Sequence, residues 1–158
     1  LSTQFASIQS GVNMNSTTHY KFRGIATSAE YADLAERYEA DAEYEAGTVV
    51  KIGGDKEITE TTEEVDDDVF GIVSTSPGFE MNAGAGSDAT HPFVALAGRV
   101  PCKVIGPVNK GDRLVSSTTP GHAQAEKKGD TIRSIIGRSL ESKDSDEAGT
   151  VEVVVGAR

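Results

Sequence analysis

From Gly47 onward, turn chemistry interrupts the chain at intervals of about 8–12 residues, which is the spacing of a small barrel or sandwich rather than of helices. Gly53-Gly54-Asp55 closes an apolar segment at Thr48 to Ile52, and a second segment follows at Glu57 to Thr61. Val69 to Ser74 ends before Pro77-Gly78; Phe93 to Ala97 and Val100 to Ile105 come next. Lys110-Gly111-Asp112 opens Arg113 to Ser116. Thr119-Pro120-Gly121 then supplies Pro followed by Gly for a type II turn into His122 to Ala125, which predicts a hairpin. Ile132, Ile135, Ile136 and Leu140 have near-helical spacing, but Gly137 and the surrounding β-rich text favour a strand at about 134 to 140. Val151, Val153 and Val155 alternate with Glu152 and Val154, so the last strand is expected to be largely buried. Ala46-Gly47-Thr48-Val49 returns as Ala148-Gly149-Thr150-Val151, two similar approaches to a strand.

The 158 residues fit one domain, or one domain with an arm, and carry a formal charge of −10. That charge argues against nucleic-acid and anionic-membrane partners, both of which need a Lys/Arg excess. It is also regional: residues 30 to 68 hold 15 acidic and 3 basic side chains. The single cysteine, Cys102, cannot form an internal bridge, no Cys/His cluster has zinc spacing, and no cofactor motif is present, so stability has to come from packing or assembly. No run approaches the ~18 apolar residues of a membrane helix, so membrane insertion is not expected. The first residue is Leu1 rather than Met, which reads as a fragment or a processed product.

Two N-terminal features stand apart. Residues 1 to 26 are rich in Ser, Thr, Asn and Gln, with Phe5, Ile8, Val12, Met14, Tyr20, Phe22 and Ile25 scattered among them, too few apolar groups to close a core. Tyr20-Lys21-Phe22-Arg23-Gly24 alternates with period two, so an extended arm that pairs with a strand elsewhere is expected. After it, Thr27-Ser28-Ala29-Glu30 has the form of a capping box, and Tyr31, Leu34, Ala35 and Tyr38 follow a helical stripe, which predicts one helix over about 28 to 38. The stripe offers Tyr31, Leu34 and Tyr38, with Tyr20 and Phe22 of the arm, as interface residues.

Few residues suggest chemistry. Asp33 and Glu36, three apart on that helix, could approach each other so that one carboxyl holds a proton for peptide cleavage, although the same positions suit a solvated face. Asp66-Asp67-Asp68 could offer oxygens to a hard cation, or form a charged turn. Asp144-Ser145-Asp146 begins like a calcium loop, but Ala148 and Val155 stand where ligands belong; Gly84-Ala85-Gly86-Ser87 lacks the frame and the Lys of a phosphate loop. His19, His91 and His122 are far apart with no ligand or nucleophile at a useful spacing, and Cys102 reads as core filler.

Several stretches resemble a C-terminal module of tailed-phage structural proteins, particularly those of marine cyanophages and pelagiphages. They are Ala26 to Tyr38, Tyr44 to Val50, Gly71 to Thr75, Gly98-Arg99-Val100-Pro101, Gly106 to Asp112 and Val151 to Gly156. The segment around Asp33 and Glu36 is also similar to the intramolecular-chaperone domains of tail spikes and neck appendages, where an acidic pair assists self-cleavage. In place of that family's aromatic run stands Arg37-Tyr38-Glu39. Gly11 to Thr27 is similar to the short repeats of trimeric tail-fibre shafts.

The resemblance implies a mainly β domain: a small β-barrel or sandwich, β-clip-like, with one short helix and an extended N-terminal arm. The expected division is a shaft-like oligomerisation arm at 1–26, a helix and acidic linker at 27–46 and a knob at 47–158. The implied role is that of a virion structural protein, the homotrimeric end of a tail fibre or appendage that meets other virion proteins or a host receptor. A trimeric capsid decoration protein and a self-cleaving chaperone are the alternatives.

Overall fold

The computed structural model describes residues 33–127 and 132–156, which form ten β-strands and one 3-10 turn at Ile132–Ser134. In chain order the strands are β1 (Asp33–Arg37), β2 (Val49–Ile52), β3 (Ile58–Glu60), β4 (Val69–Val73), β5 (Phe79–Met81), β6 (Phe93–Val104), β7 (Arg113–Ser116), β8 (Ala123–Ala125), β9 (Gly137–Ser139) and β10 (Gly149–Val155). The mainly β, small-barrel architecture expected from the turn spacing is what forms.

β6 organises the molecule. Phe93 to Ala97 and Val100 to Ile105 are not two strands but, up to Val104, one strand of 12 residues whose halves pair with different sets of strands within one sheet. The second half pairs with β10 from Val104↔Gly149 to Gly98↔Val155 and touches β8 at Val104↔Ala123. β8 pairs with β7, β7 with β9 and β9 with β10, so β6, β8, β7, β9 and β10 close a five-stranded barrel. Closure removes the free edges these short strands would otherwise expose. The barrel is filled by small aliphatics, among them Val100, Cys102, Val104, Leu114, Val151 and Val153, all essentially inaccessible. Cys102 is packing, as its setting in Pro101-Cys102-Lys103-Val104 suggested, and burial raises its thiol pKa to about 12.

The first half of β6 carries a wing. β4 pairs with it at Ile72↔Ala95 and Val73↔Val94, and β2 and β3 continue outward. On the other side β1 pairs antiparallel with it, from Asp33↔Gly98 to Arg37↔Phe93, and β5 lies parallel beyond β1. Val50, Ile58, Val73 and Val94 form the wing's own core, with Tyr38, Tyr44, Phe70 and Leu96 against it.

The helix expected over 28 to 38 is not there in its described part: Asp33–Arg37 is a strand, while the capping box lies outside the described residues. The side-chain spacing allowed either period. What decides is that β6 presents an unpaired edge along Phe93 to Gly98, where Ala35, opposite Ala95, is small enough to be fully buried. The only helical turn among the described residues is the 3-10 turn, which together with β9 occupies the span read as one strand at about 134 to 140. The hairpin at Pro120-Gly121 forms as expected: His122 N–H donates to Thr119 O at 3.1 Å and Gly121 takes φ 65°, the left-handed conformation a type II turn requires.

Candidate assembly and processing residues

Strand geometry separates the two carboxylates expected to act together. Residues three apart on a strand face opposite sides, and here Asp33 is buried while Glu36 is partly exposed. Among the described residues Asp33 Oδ2 has no hydrogen-bond partner, and the Asp33 carbonyl accepts from Gly78 N–H at 3.0 Å. Glu36 instead accepts from the Tyr38 hydroxyl at 3.0 Å. The helical face that was to bring Asp33 and Glu36 together is absent.

Of the expected interface residues, Tyr20, Phe22 and Tyr31 lie outside the described residues. Tyr38 packs edge-on against Phe70, ring centroids 5.0 Å apart, and burial together with Glu36 raises its hydroxyl pKa to about 12. It belongs to the wing core. Leu34 is different: it is 36% exposed and stands beside Phe79 of β5, its Cα partner, which is 61% exposed. Phe79 was missed because Phe79-Glu80-Met81 is too short to read as a strand after Pro77-Gly78. Its period-two apolar, acidic, apolar order was the available signal.

The three aspartates do not converge on a cation. Asp66 pairs with Lys51 Nζ at 2.7 Å and accepts from Asp68 N–H at 2.9 Å, while its own N–H donates to Ser116 Oγ at 2.8 Å. Asp67 accepts from the Ser134 hydroxyl. Burial alone would raise the Asp66 pKa, but the Lys51 ammonium and the Asp68 N–H outweigh it and hold the carboxyl below the usual range. The run is thus a clasp joining β2 of the wing to β7 and the 3-10 turn. Among the described residues no group of three or more His, Cys, Asp or Glu is arranged to hold a metal.

The histidines also have local roles. His122 Nδ1 bonds to Pro120 O at 2.7 Å, and His91 N–H donates to Ser87 O at 2.6 Å. Above His91, Arg37 ties the 82–92 loop to β1: its guanidinium lies 3.9 Å from the Phe93 ring centroid and 2.8 Å from Asp88. Beside Arg37 opens a polar cleft of about 480 Å³, bordered by Ser74, Thr75, Ser76, Glu80 and Asp88.

No protein-family model and no curated protein matches the chain. Solved structures do. The chain is similar to the C-terminal fragment of bacteriophage phi29 gene product 12, with a TM-score of 0.55 and 15% identity over 78% of this chain and 99% of that one. It is also similar to the pre-mature form of phi29 gene product 12, with a TM-score of 0.63 and 14% identity over 88% of this chain. It spans only 23% of that longer protein, and at these identities the likeness is one of fold.

Proposed function

We propose that this chain is a structural component of a bacteriophage virion, the C-terminal self-associating module of a tail fibre or appendage. The observation that carries the reading is the fold likeness to a phage protein's C-terminal fragment, which extends over 99% of that fragment. It agrees with the resemblance of Tyr44 to Val50, Gly98 to Pro101 and Gly106 to Asp112 to phage C-terminal modules. The closed barrel supplies a rigid knob, and the wing leaves Leu34 and Phe79 available to a neighbouring surface. The module works as a homotrimer among other virion proteins: a polar arm with scattered apolar residues cannot close a core by itself, whereas three chains about one axis can bury those residues together.

Gold-labelled antibody against residues 47–158, imaged on intact particles, tests the location. Label on the tail supports the proposal. Label over the head would replace it with capsid decoration, and unlabelled particles with free antigen in the lysate would remove the virion role.

A further inference from the structure

The free edge of β5 has the complementary pattern to a segment of the arm. Among the described residues β5 pairs only with β1, so its other edge presents unpaired backbone groups. Side chains alternate across it: Phe79 and Met81 share the face of Leu34, and Glu80 points to the opposite, cleft-lining face with Arg37. An exposed edge bearing an apolar pair is a template for another strand. Residues 1–26 contain no acidic side chain and two basic ones, Lys21 and Arg23, and these alternate with Tyr20 and Phe22. We infer that Tyr20–Arg23 of this chain adds as a strand to the free edge of β5, laying Tyr20 and Phe22 beside Phe79 and Met81 and Lys21 and Arg23 beside Glu80.

Three observations select this occupant. The order Phe79-Glu80-Met81 is apolar, acidic, apolar; Tyr20-Lys21-Phe22 is apolar, basic, apolar, so one register matches both faces at once. The surface is acidic around the edge, with Glu36 and Glu80 on the two strands, which favours the one basic stretch of the arm. The reach suffices: residues 24–32, between Arg23 and the start of β1, span up to roughly 30 Å extended, more than the two strand spacings of about 4.8 Å each that separate β1 from a strand beyond β5. This inference does not require the chain to be a trimer or a phage protein, since the arm can come from the same copy or from a neighbour.

The test uses the full chain with a photo-crosslinking benzoylphenylalanine in place of Phe79, an exposed position whose replacement leaves both cores intact. Mass spectrometry after irradiation should find the crosslink within residues 12–32, and Phe22→Ser should reduce its yield at least fivefold. In the same chain without the crosslinker, Phe79→Asp should speed trypsin cleavage after Lys21 and Arg23 several-fold without moving the thermal midpoint of the barrel. Crosslinks confined to residues 33–156, such as the neighbouring Leu34, with none to the arm, or a yield of the arm crosslink indifferent to Phe22→Ser, overturn the inference. The assembly reading fails separately: a monomeric mass by light scattering with the 79-to-arm crosslink retained removes the trimer and keeps the docked arm, and a trimer crosslinked through two β5 strands does the reverse.

Discussion

Lys51→Met should destabilise the protein through one buried carboxylate. Lys51 and Asp66 are 2.7 Å apart, and their side chains are 20% and 6% exposed. Without the ammonium, Asp66 keeps the Asp68 N–H as a donor but has lost its counter-ion in a site that water barely reaches. Removing one partner of a fully buried pair costs about 3–5 kcal/mol, and the residual exposure of Lys51 lowers the expectation here to about 2–3. At about 2–4 °C per kcal/mol for a domain of this size, the midpoint should fall by roughly 4–12 °C. The pH dependence fixes the cause. Because the folded Asp66 pKa lies below its ordinary value, the pair's contribution is present above about pH 4 and is lost as pH falls through the folded pKa. In Lys51→Met the buried carboxyl prefers to be protonated, so acid relieves the variant and the gap to wild type should narrow toward about pH 3. Urea unfolding at neutral and acid pH measures both. Lys56→Met, which removes a pair between exposed side chains, is the control and should leave the midpoint unchanged. A Lys51→Met loss below about 1 kcal/mol at neutral pH, or a gap that stays constant into acid, would refute the clasp.

Three further outcomes follow from the packing. Leu114→Ala, in the barrel interior with no accessible surface, should cost about 2–5 kcal/mol by urea unfolding while barrel-type circular dichroism is retained. Gly137→Ala should cost about 1–3 kcal/mol or more, because a Cβ there would run into the Val154 carbonyl where β9 meets β10 and the barrel closes; an unchanged midpoint would mean that the strand can move aside. Cys102, with a thiol pKa near 12 and full burial, should resist a thiol reagent in the folded protein at pH 8 and react within minutes in denaturant, as a timed absorbance assay would show.

The barrel was legible in the sequence because its signals are local. Pro120-Gly121 sets a turn by dihedral preference alone, and Val151-Glu152-Val153-Val154-Val155 declares a strand by alternation and β-branching. The wing was not, because its two informative elements depend on partners distant in sequence. Asp33–Arg37 satisfies a helical stripe and a strand equally well, and only the open edge of β6, some sixty residues later, selects the strand. Phe79–Met81 is three residues long and exists as a strand only because β1 lies beside it. The Asp33 and Glu36 pairing was lost with the helix that implied it. The aspartate run reads from sequence as a cation site or a charged turn, because its counter-charge, Lys51, is brought to it only by the β2–β4 pairing, and Ser116 and Ser134 come from β7 and the 3-10 turn.

Self-association is the central claim, and light scattering on the full chain after size-exclusion chromatography tests it most directly. A homotrimer of the 16.6 kDa chain should elute with a mass of about 50 kDa that persists at micromolar concentration, and Leu34→Asp should lower it by placing an unpaired charge in the contact. A single species of 16.6 kDa at that concentration would contradict the account.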